Sequence, residues 1–558
     1  MVYIALNSGS DRSVVLSRLD DSGVVTEDQV LARAELSAVV AQLESERPRW
    51  VWDDTSRWYP PLLKAEVRVE RCVDLRLCHA ILRASALTAS SELATAAAGP
   101  WDHGAIEPAV AADNALFEVD VPIQSAREDP LDEFRMQRRA IESSIDPGRI
   151  GLLLAAESAG ALVAAEIHYA GLPWREDLHD ELLTRHLGPR PSNGERPRLL
   201  AAALERVRAA LGAPELNVDS PTELLRAFAH AGIAATSTRS WELKKIDHPA
   251  IAPVLEYKKL SRLLSANGWH WLDTNVHDGR FRPEYVPGGV VTGRWASTGG
   301  GGALQLPKQI REAVVADPGW KLVVADASQL EPRILAALSG DLAMAEAGRS
   351  GDMYAAIVAS GAVASRDQAK VAMLGAMYGA TTGESARLMP KLTRAYPRAI
   401  ALVEAAARAG ERGEIVTTRL GRSSPRPGEQ WRAAQSDAYG EGASDAERTR
   451  ARTQARGWGR FTRNFVVQGS AAEWALCWMA TLRQSLRASS GSAWLTRVPH
   501  LVFFMHDELV IHCPAEAAQD VERIARESAA TAGRLLFGAM PVEFPLSVAI
   551  VDDYSQAK

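Results

Sequence analysis

Little in this chain suits disulfide, zinc or membrane chemistry. Its four cysteines, Cys72, Cys78, Cys477 and Cys513, form no C-x-x-C pair and have no histidine cluster beside them. So few thiols in 558 residues point to free side chains in a reducing compartment, not to a disulfide framework or a structural zinc site. There is no run of about 18 apolar residues. The most apolar helix-like segment, Gly151 to Leu172, is interrupted by Glu157, Glu166 and His168. The opening "MVYIALNSGSD" has no basic region before its apolar residues, so it does not read as a signal peptide, and a cytoplasmic location is expected. Excess positive charge is missing too: the net charge of −6 does not advertise a nucleic-acid binder. That sum hides a local bias. From Arg419 to Arg463 ten arginines face five acids, with Trp431, Tyr439 and Trp458 interleaved. Such a segment suits a phosphate-binding surface, and a solvated Arg-rich loop has the same composition.

What is present is ordinary soluble globular composition, 47% hydrophobic and 24% charged, in a chain long enough for about three or four domains. The first ~135 residues mix short β-like runs (Val2–Leu6, Ser13–Leu16, Trp50–Trp52, Val67–Val69) with the helical run Cys78–Ala86, which predicts a small α/β domain. A polar stretch at Gln124–Pro130 marks its expected end. From about Arg135 the chain reads as helical and Ala-rich, with a turn-rich break at Gly188–Pro197. A loop-rich tract, Val286–Gly302, then leads to a strand, a helical block over Leu330–Ala409, the basic segment and a helix over Gln468–Leu486.

Two acids stand out. In "VVADASQLEPRILAAL" a buried-looking strand ends on Asp326 and turns into a helix. In "LVFFMHDELVIH" two β runs flank His506-Asp507-Glu508, a hairpin with a carboxylate at its tip. His-Asp-Glu is a poor turn sequence on local grounds alone. If the two strands are sheet neighbours, Asp326 and Asp507 meet at one edge and repel unless a divalent cation lies between them. Mg²⁺ takes such oxygen ligands and leaves room for phosphates. A pair of ions would serve in-line phosphoryl displacement. "SRDQAKVAMLGAMYG" sets Arg366, Lys370, Leu374 and Tyr378 four residues apart, one slowly drifting stripe on a helix. Its two cations suit an anionic phosphate group, and its far end offers a flat ring.

The ordered set resembles family A DNA polymerases. "DASQLEPR" is similar to the family's first palm motif, "RDQAKVAMLGAMYG" to its fingers helix and "HDE" to its last palm motif. "VTGRWAS" and "RNFVVQGSAAE" resemble two further motifs, and "LNVDSPTELLRAF" with "LEYKKLSRL" resembles the thumb. The similarity covers about residues 150 to 558 and implies a multidomain α+β fold. An RNase H-like domain over 1–140 would precede a right-hand polymerase over 141–558. Within the latter, the thumb would span about 180–265, the palm 266–340 and 466–558, and the fingers 341–465.

The resemblance implies roles residue by residue. Asp326, Asp507 and the Ala327 carbonyl would bind two Mg²⁺ ions, with Mn²⁺ as a substitute and Glu508 nearby. Lys370 would protonate pyrophosphate, and with Arg366 would hold the triphosphate. Gln329, Glu331, Tyr354, Leu374 and Tyr378 would complete the nucleotide site, Glu331 excluding a 2′-OH. Arg294, Gln305, Arg460, Asn464, Gln468 and His506 would contact primer-template DNA. A cytoplasmic, nucleoid-associated monomer acting on dNTPs in replication or repair follows. The alternatives are a non-catalytic nucleic-acid-binding homologue and a single-subunit RNA polymerase.

Four positions depart from the family pattern. Leu374 replaces an aromatic residue and cannot stack on the sugar. Ala327 replaces Tyr, which a backbone ligand tolerates. Pro332 requires the first turn of a helix. Tyr354 replaces a phosphate-binding His. The region 1–135 has no Asp-x-Glu: Asn7-Ser8-Gly9 stands after "VYIAL", and no Tyr or His is followed four positions later by Asp, the nearest pair being His103 and Glu107. An exonuclease-like fold without its metal-binding acids is expected there.

Overall fold

The computed structural model describes residues 2–10, 13–102, 129–192, 194–298, 306–349, 351–379, 383–438, 440, 443–491 and 493–557. The chain forms two units. One comprises Met1–Ala170, Tyr285–Ala296 and Ala325–Val548; the other comprises Gly171–Glu284, Ser297–Val324 and Ala549–Lys558.

The first unit opens on a five-stranded sheet of β1 (Tyr3–Ser8), β2 (Ser13–Leu19), β3 (Val25–Ala32), β4 (Arg49–Trp52) and β5 (Arg71–Asp74), in the order β3-β2-β1-β4-β5. β1 pairs antiparallel with β2 and parallel with β4, while β5 extends the parallel side. Alternation sends Ile4, Leu6, Trp50 and Trp52 into one apolar cluster and Tyr3, Ala5 and Val51 into another. β1 is therefore buried on both faces, as a central strand should be. β3 is not among the expected strands: its Glu27, Asp28 and Gln29 line an exposed sheet edge, where charge prevents further pairing. The expected strand Val67–Val69 is absent. Val67 N–H instead bonds the Leu62 carbonyl, and Glu66 has φ 56°, so this run finishes a helix and the strand begins at Arg71.

Helices α1 (Thr55–Lys64), α2 (Leu75–Ala84) and α3 (Pro130–Glu142) accompany this sheet. α4 (Pro147–Ala170) packs among them and is long and apolar enough to cross a membrane by length and composition. Its best 18-residue window is, however, 72% buried inside the protein. Its two buried acids are paired: Glu157 with Arg422 at 2.6 Å, and Glu166 with Arg68 and Arg483 at 2.8 and 2.7 Å.

A second sheet, in the order β7-β8-β6-β9, joins β6 (Trp320–Ala327), β7 (His500–Met505), β8 (Glu508–Pro514) and β9 (Leu546–Val551). Around it run α5 (Leu330–Ser339), α6 (Met353–Ala359), α7 (Arg366–Tyr378), α8 (Pro397–Glu411), α9 (Asp445–Ser490) and α10 (Ala518–Phe537). α9 is 46 residues long, far beyond the expected Gln468–Leu486. A capping box at Ser444 and Glu447 starts it inside the basic segment, so the second half of that segment is helix, not loop.

The second unit contains helices Glu176–Leu187, Arg198–Leu211, Pro221–His230 and Ile251–Asn267; the third carries most of "LNVDSPTELLRAF" and the fourth carries "LEYKKLSRL". Trp174, His179, Trp271 and Phe281 form its aromatic centre, with ring centroids 5.0 to 5.9 Å apart. Burial pushes the His179 imidazole down to about 4 while Nε2 lies 3.0 Å from the Asn267 carbonyl.

Candidate active site

Asp326 sits at the end of β6 because four buried residues, Leu322 to Ala325, carry the strand through the interior to the sheet edge. Asp507 sits in a two-residue turn, since Met505 pairs with Glu508 across the hairpin. Asp507 N–H bonds the Met505 carbonyl at 2.8 Å, and His506 has φ 61°. This tight γ-like closure is strained for a residue with a Cβ, and strain of this kind clusters at functional sites. The strands meet as neighbours: Ala327 N–H donates to the Asp507 carbonyl at 2.9 Å. Acids 181 residues apart in sequence thus share one edge.

Their electrostatics agree. Burial, then the Asp326 charge, pushes the Asp507 carboxyl up to about 7. Burial, then Glu508, raises Asp326. Two half-buried carboxylates that oppose each other's ionisation form an all-oxygen donor set suited to a hard divalent cation. Among the described residues, no group of three His, Cys, Asp or Glu side chains is assembled for a metal. The edge thus offers two carboxylates beside backbone carbonyl oxygens.

Beyond β6 the chain turns sharply. Gln329 adopts the left-handed region at φ 57°, ψ 44°, and α5 begins at Leu330. Pro332 is the third helical residue, where the missing N–H costs nothing. Buried Arg333 ties the turn down, donating to the carbonyls of Ser328 and Glu543 at 3.0 and 3.1 Å. Glu331 in the first turn accepts from Arg294 Nη2 at 2.6 Å and from Tyr378 Oη at 3.0 Å. Burial, then Glu331, raises the Tyr378 phenol to about 12, so it stays a donor. Gln468 of α9 faces the same Tyr378 hydroxyl and accepts from Thr292 Oγ1 at 3.0 Å. Gly469 permits this approach, because a Cβ there would press on Thr418 and stand 3.2 Å from the Thr292 carbonyl.

α7 exposes Arg366, Lys370 and Tyr378, with Leu374 half-buried in the same row. Its opposite face, including Ala369, Ala372, Met373 and Ala376, is buried. Asp352 organises the N-terminal end of this row. It caps α6, receives Gln329 Nε2 at 2.8 Å and receives Arg366 Nε at 2.6 Å. The Arg366 guanidinium also lies 5.6 Å from the Tyr354 ring centroid. Burial, then Glu331, raises Tyr354 to about 12. Lys370 has no hydrogen bond or ion pair among the described residues.

Exposed Arg460 of α9 flanks Gly379, just beyond Tyr378. Asn464 Oδ1 is buried without a hydrogen-bond partner among the described residues. His506 is exposed, and its imidazole is lowered first by burial and then by Arg294. Gln305 lies outside the described residues.

Most of the expected site residues thus gather in three groups, the acid edge, the Glu331 cluster and the Asp352–Arg366 cluster; among the described residues no side-chain hydrogen bond or ion pair joins Lys370, Leu374, Arg460 or Asn464 to any of them. Asp352 and Thr292 escaped the sequence reading. Asp352 had a signal, an acid directly before a helix, but its link to Arg366 joins positions 14 apart through a turn. Arg463, which donates to the Ala376 carbonyl at 2.6 Å and so holds the end of α7, had none.

The model of the family described as DNA polymerase family A matches residues 197–554. The thermostable DNA polymerase I of Thermus aquaticus is 27% identical over 361 residues, 59% of this chain and 39% of that protein. DNA polymerase I of Chloroflexus aurantiacus is 26% identical over 343 residues, 56% of this chain and 33% of that protein. The matches thus span well under half the length of these relatives. A solved structure described as the POL domain of Pol1 from M. smegmatis, in complex with DNA primer-template and dNTP, is similar at a TM-score of 0.69 and 18% identity. That likeness covers 100% of this chain and 96% of the other.

Proposed function

The chain belongs to DNA polymerase family A, and on that premise we propose that it is a template-directed DNA polymerase adding deoxynucleotides to a primer 3′-OH. One observation carries the reading: the Ala327–Asp507 backbone bond that unites two distant acids at one edge. Asp326, Asp507 and the Ala327 carbonyl are the residues that would hold two Mg²⁺ or Mn²⁺ ions, with Glu508 beside them. Bound there, such ions supply charge stabilisation to the attacking and leaving oxygens. The protein's own contribution is positioning and charge. Arg366 and Lys370 receive the triphosphate, and Lys370 gives a proton to the departing pyrophosphate. Glu331, held by Arg294 and Tyr378, occupies the space a 2′-OH would need. Gln329 and Tyr354 support that site, Leu374 fills space at the sugar without stacking, and Tyr378 faces the template side of the new pair. Arg460, Asn464, Gln468, Arg294 and His506 contact primer and template.

In this reading the second sheet is the palm, residues 341–465 form the fingers, and the second unit supplies the thumb over about 180–265. The first sheet belongs to an RNase H-like domain over 1–140 that has lost 3′–5′ exonuclease activity. Its strand order supports the fold. The loss is supported by Asn7 and Ser8 at the end of β1, and by Arg57, which donates to Ser8 Oγ at 2.6 Å and Asp53 at 2.7 Å. A guanidinium there supplies positive charge where a nuclease would hold metal. A cytoplasmic, nucleoid-associated monomer acting in replication or repair completes the proposal.

Primer extension tests it. Wild type extends a matched primer with Mg²⁺, and Asp326→Ala or Asp507→Ala lowers the rate by at least about 10²-fold, as loss of a group opposing developing charge should. Equal incorporation by all three would sink the reading.

A further inference from the structure

The polymerase reading leaves the N-terminal third of α9 without a task. Residues 445–459 hold four arginines against two acids in a chain of net charge −6. Arg448, Arg452 and Arg456 are all exposed. Among the described residues Arg448 has one ion pair, a loose one with Asp445 at 4.0 Å. Arg452 and Arg456 have no ion pair or hydrogen bond among the described residues. The helix beneath them is fixed: Ala451 and Gly459 are buried, and Gln435 Nε2 donates to the Ala451 carbonyl at 2.9 Å. Unpaired guanidiniums on a braced helix keep their full charge for a partner.

The spacing links them to the site. Arg448, Arg452, Arg456, Arg460, Asn464 and Gln468 follow one another at four-residue intervals. Each step advances about 6 Å along the axis and about 40° around it, so the row winds about 30 Å outward from Gln468. It leaves the site at the Tyr378–Gly379 end of α7, where Arg460 packs. Arg366 lies at the other end, about 18 Å away. If Arg366 takes the triphosphate, the row departs from the template side of the new pair.

We propose that Arg448, Arg452 and Arg456 form a phosphate track for the unpaired template strand ahead of the site, an assignment that rests on the polymerase reading. Guanidiniums on phosphate oxygens hold a backbone without reading its bases, which suits a strand of any sequence.

The test uses the full chain, primer-templates with 5′ template overhangs of about 2 and about 12 nucleotides, and the variants R448Q/R452Q/R456Q and R448K/R452K/R456K. Binding is titrated between about 50 and 150 mM salt. Three single-strand phosphate contacts contribute a slope of about 2 in log–log form, so on the long overhang wild type should lose roughly tenfold more affinity than the Gln variant across that range. The Lys variant should keep most of the slope, and on the short overhang wild type and both variants should match. Equal loss on both overhangs would assign the row to product duplex and overturn the proposal. So would an unchanged slope, or a Lys variant as impaired as the Gln variant. Extension by wild type on the short overhang tests the polymerase reading separately; should it fail, the overhang dependence of binding still decides the track.

Discussion

Replacing Glu166 by Gln should loosen the N-terminal sheet from α9 while leaving the candidate active site chemically intact. Glu166 lies on α4 and accepts from Tyr59 Oη at 2.6 Å, Arg68 Nε at 2.9 Å and Arg483 Nη2 at 2.7 Å. Arg483 belongs to α9 and also donates to the Glu70 carbonyl at 2.8 Å. Its side chain is 2% exposed, and that of Arg68 is 11% exposed. Although burial opposes the charge, Arg483 and Arg68 hold the Glu166 carboxyl well below its usual range. An amide keeps the shape but strands two buried guanidiniums, and breaking a buried pair from one side costs about 3–5 kcal/mol. With a urea dependence near 3 kcal/mol per molar, the transition of the N-terminal sheet should move down by about 1 M. Tryptophan fluorescence reports it, since Trp50, Trp52 and Trp58 are buried there.

The pH dependence has a definite sign. The folded value of Glu166 lies below the ordinary 4.5, so its stabilisation is full above that pH and fades as pH falls through and below it. The gap between wild type and E166Q should therefore be constant from about pH 6 to 8 and shrink below 4.5. Replacing Glu166 by Leu and Arg483 by Met together should recover part of the loss. Full recovery is not expected, because Arg68 keeps its charge without Glu166 and the Val69 and Glu70 carbonyls lose their donor at about 1 kcal/mol each. A shift below about 0.3 M for E166Q would refute the reasoning, because buried uncompensated charge cannot be that cheap.

Asp352→Asn should lower the KM for dNTP about two- to fivefold at unchanged kcat, because Asn still caps α6 while Arg366 is freed from an exposed, solvent-screened pair; a raised KM in steady-state kinetics would contradict this. Glu331→Ala should raise ribonucleotide use relative to deoxynucleotide use by roughly tenfold or more in paired kcat/KM measurements, the range a pocket reaches when one group decides admission. An unchanged ratio would remove Glu331 as the sugar gate.

Much of the acid edge was legible because its signals are local. A buried strand ending on Asp326, and a hairpin with an unfavourable turn at His506-Asp507, can each be read within a dozen residues. The stripe Arg366–Lys370–Leu374–Tyr378 was legible for the same reason, since helix periodicity alone puts it on one face. Val67–Val69 misled because its Val-Arg-Val alternation is only three residues long, and a helix terminus buries it as readily as a strand does. β3 was missed because an edge strand is chosen by a neighbour, not by its own composition.

By itself, the sequence determined the element carrying each acid, the exposed cationic face of α7 and the lack of paired acids at the end of β1. Only the tertiary structure decided that β6 and β8 are neighbours, that Asp352 holds Arg366, that Glu331 gathers Arg294 and Tyr378, and that Glu166 binds Arg68 and Arg483 across the first unit. The physical reason is range: propensity, capping and periodicity act over a few residues, whereas Coulomb and hydrogen-bond contacts between distant segments exist only once packing has paid for bringing them together.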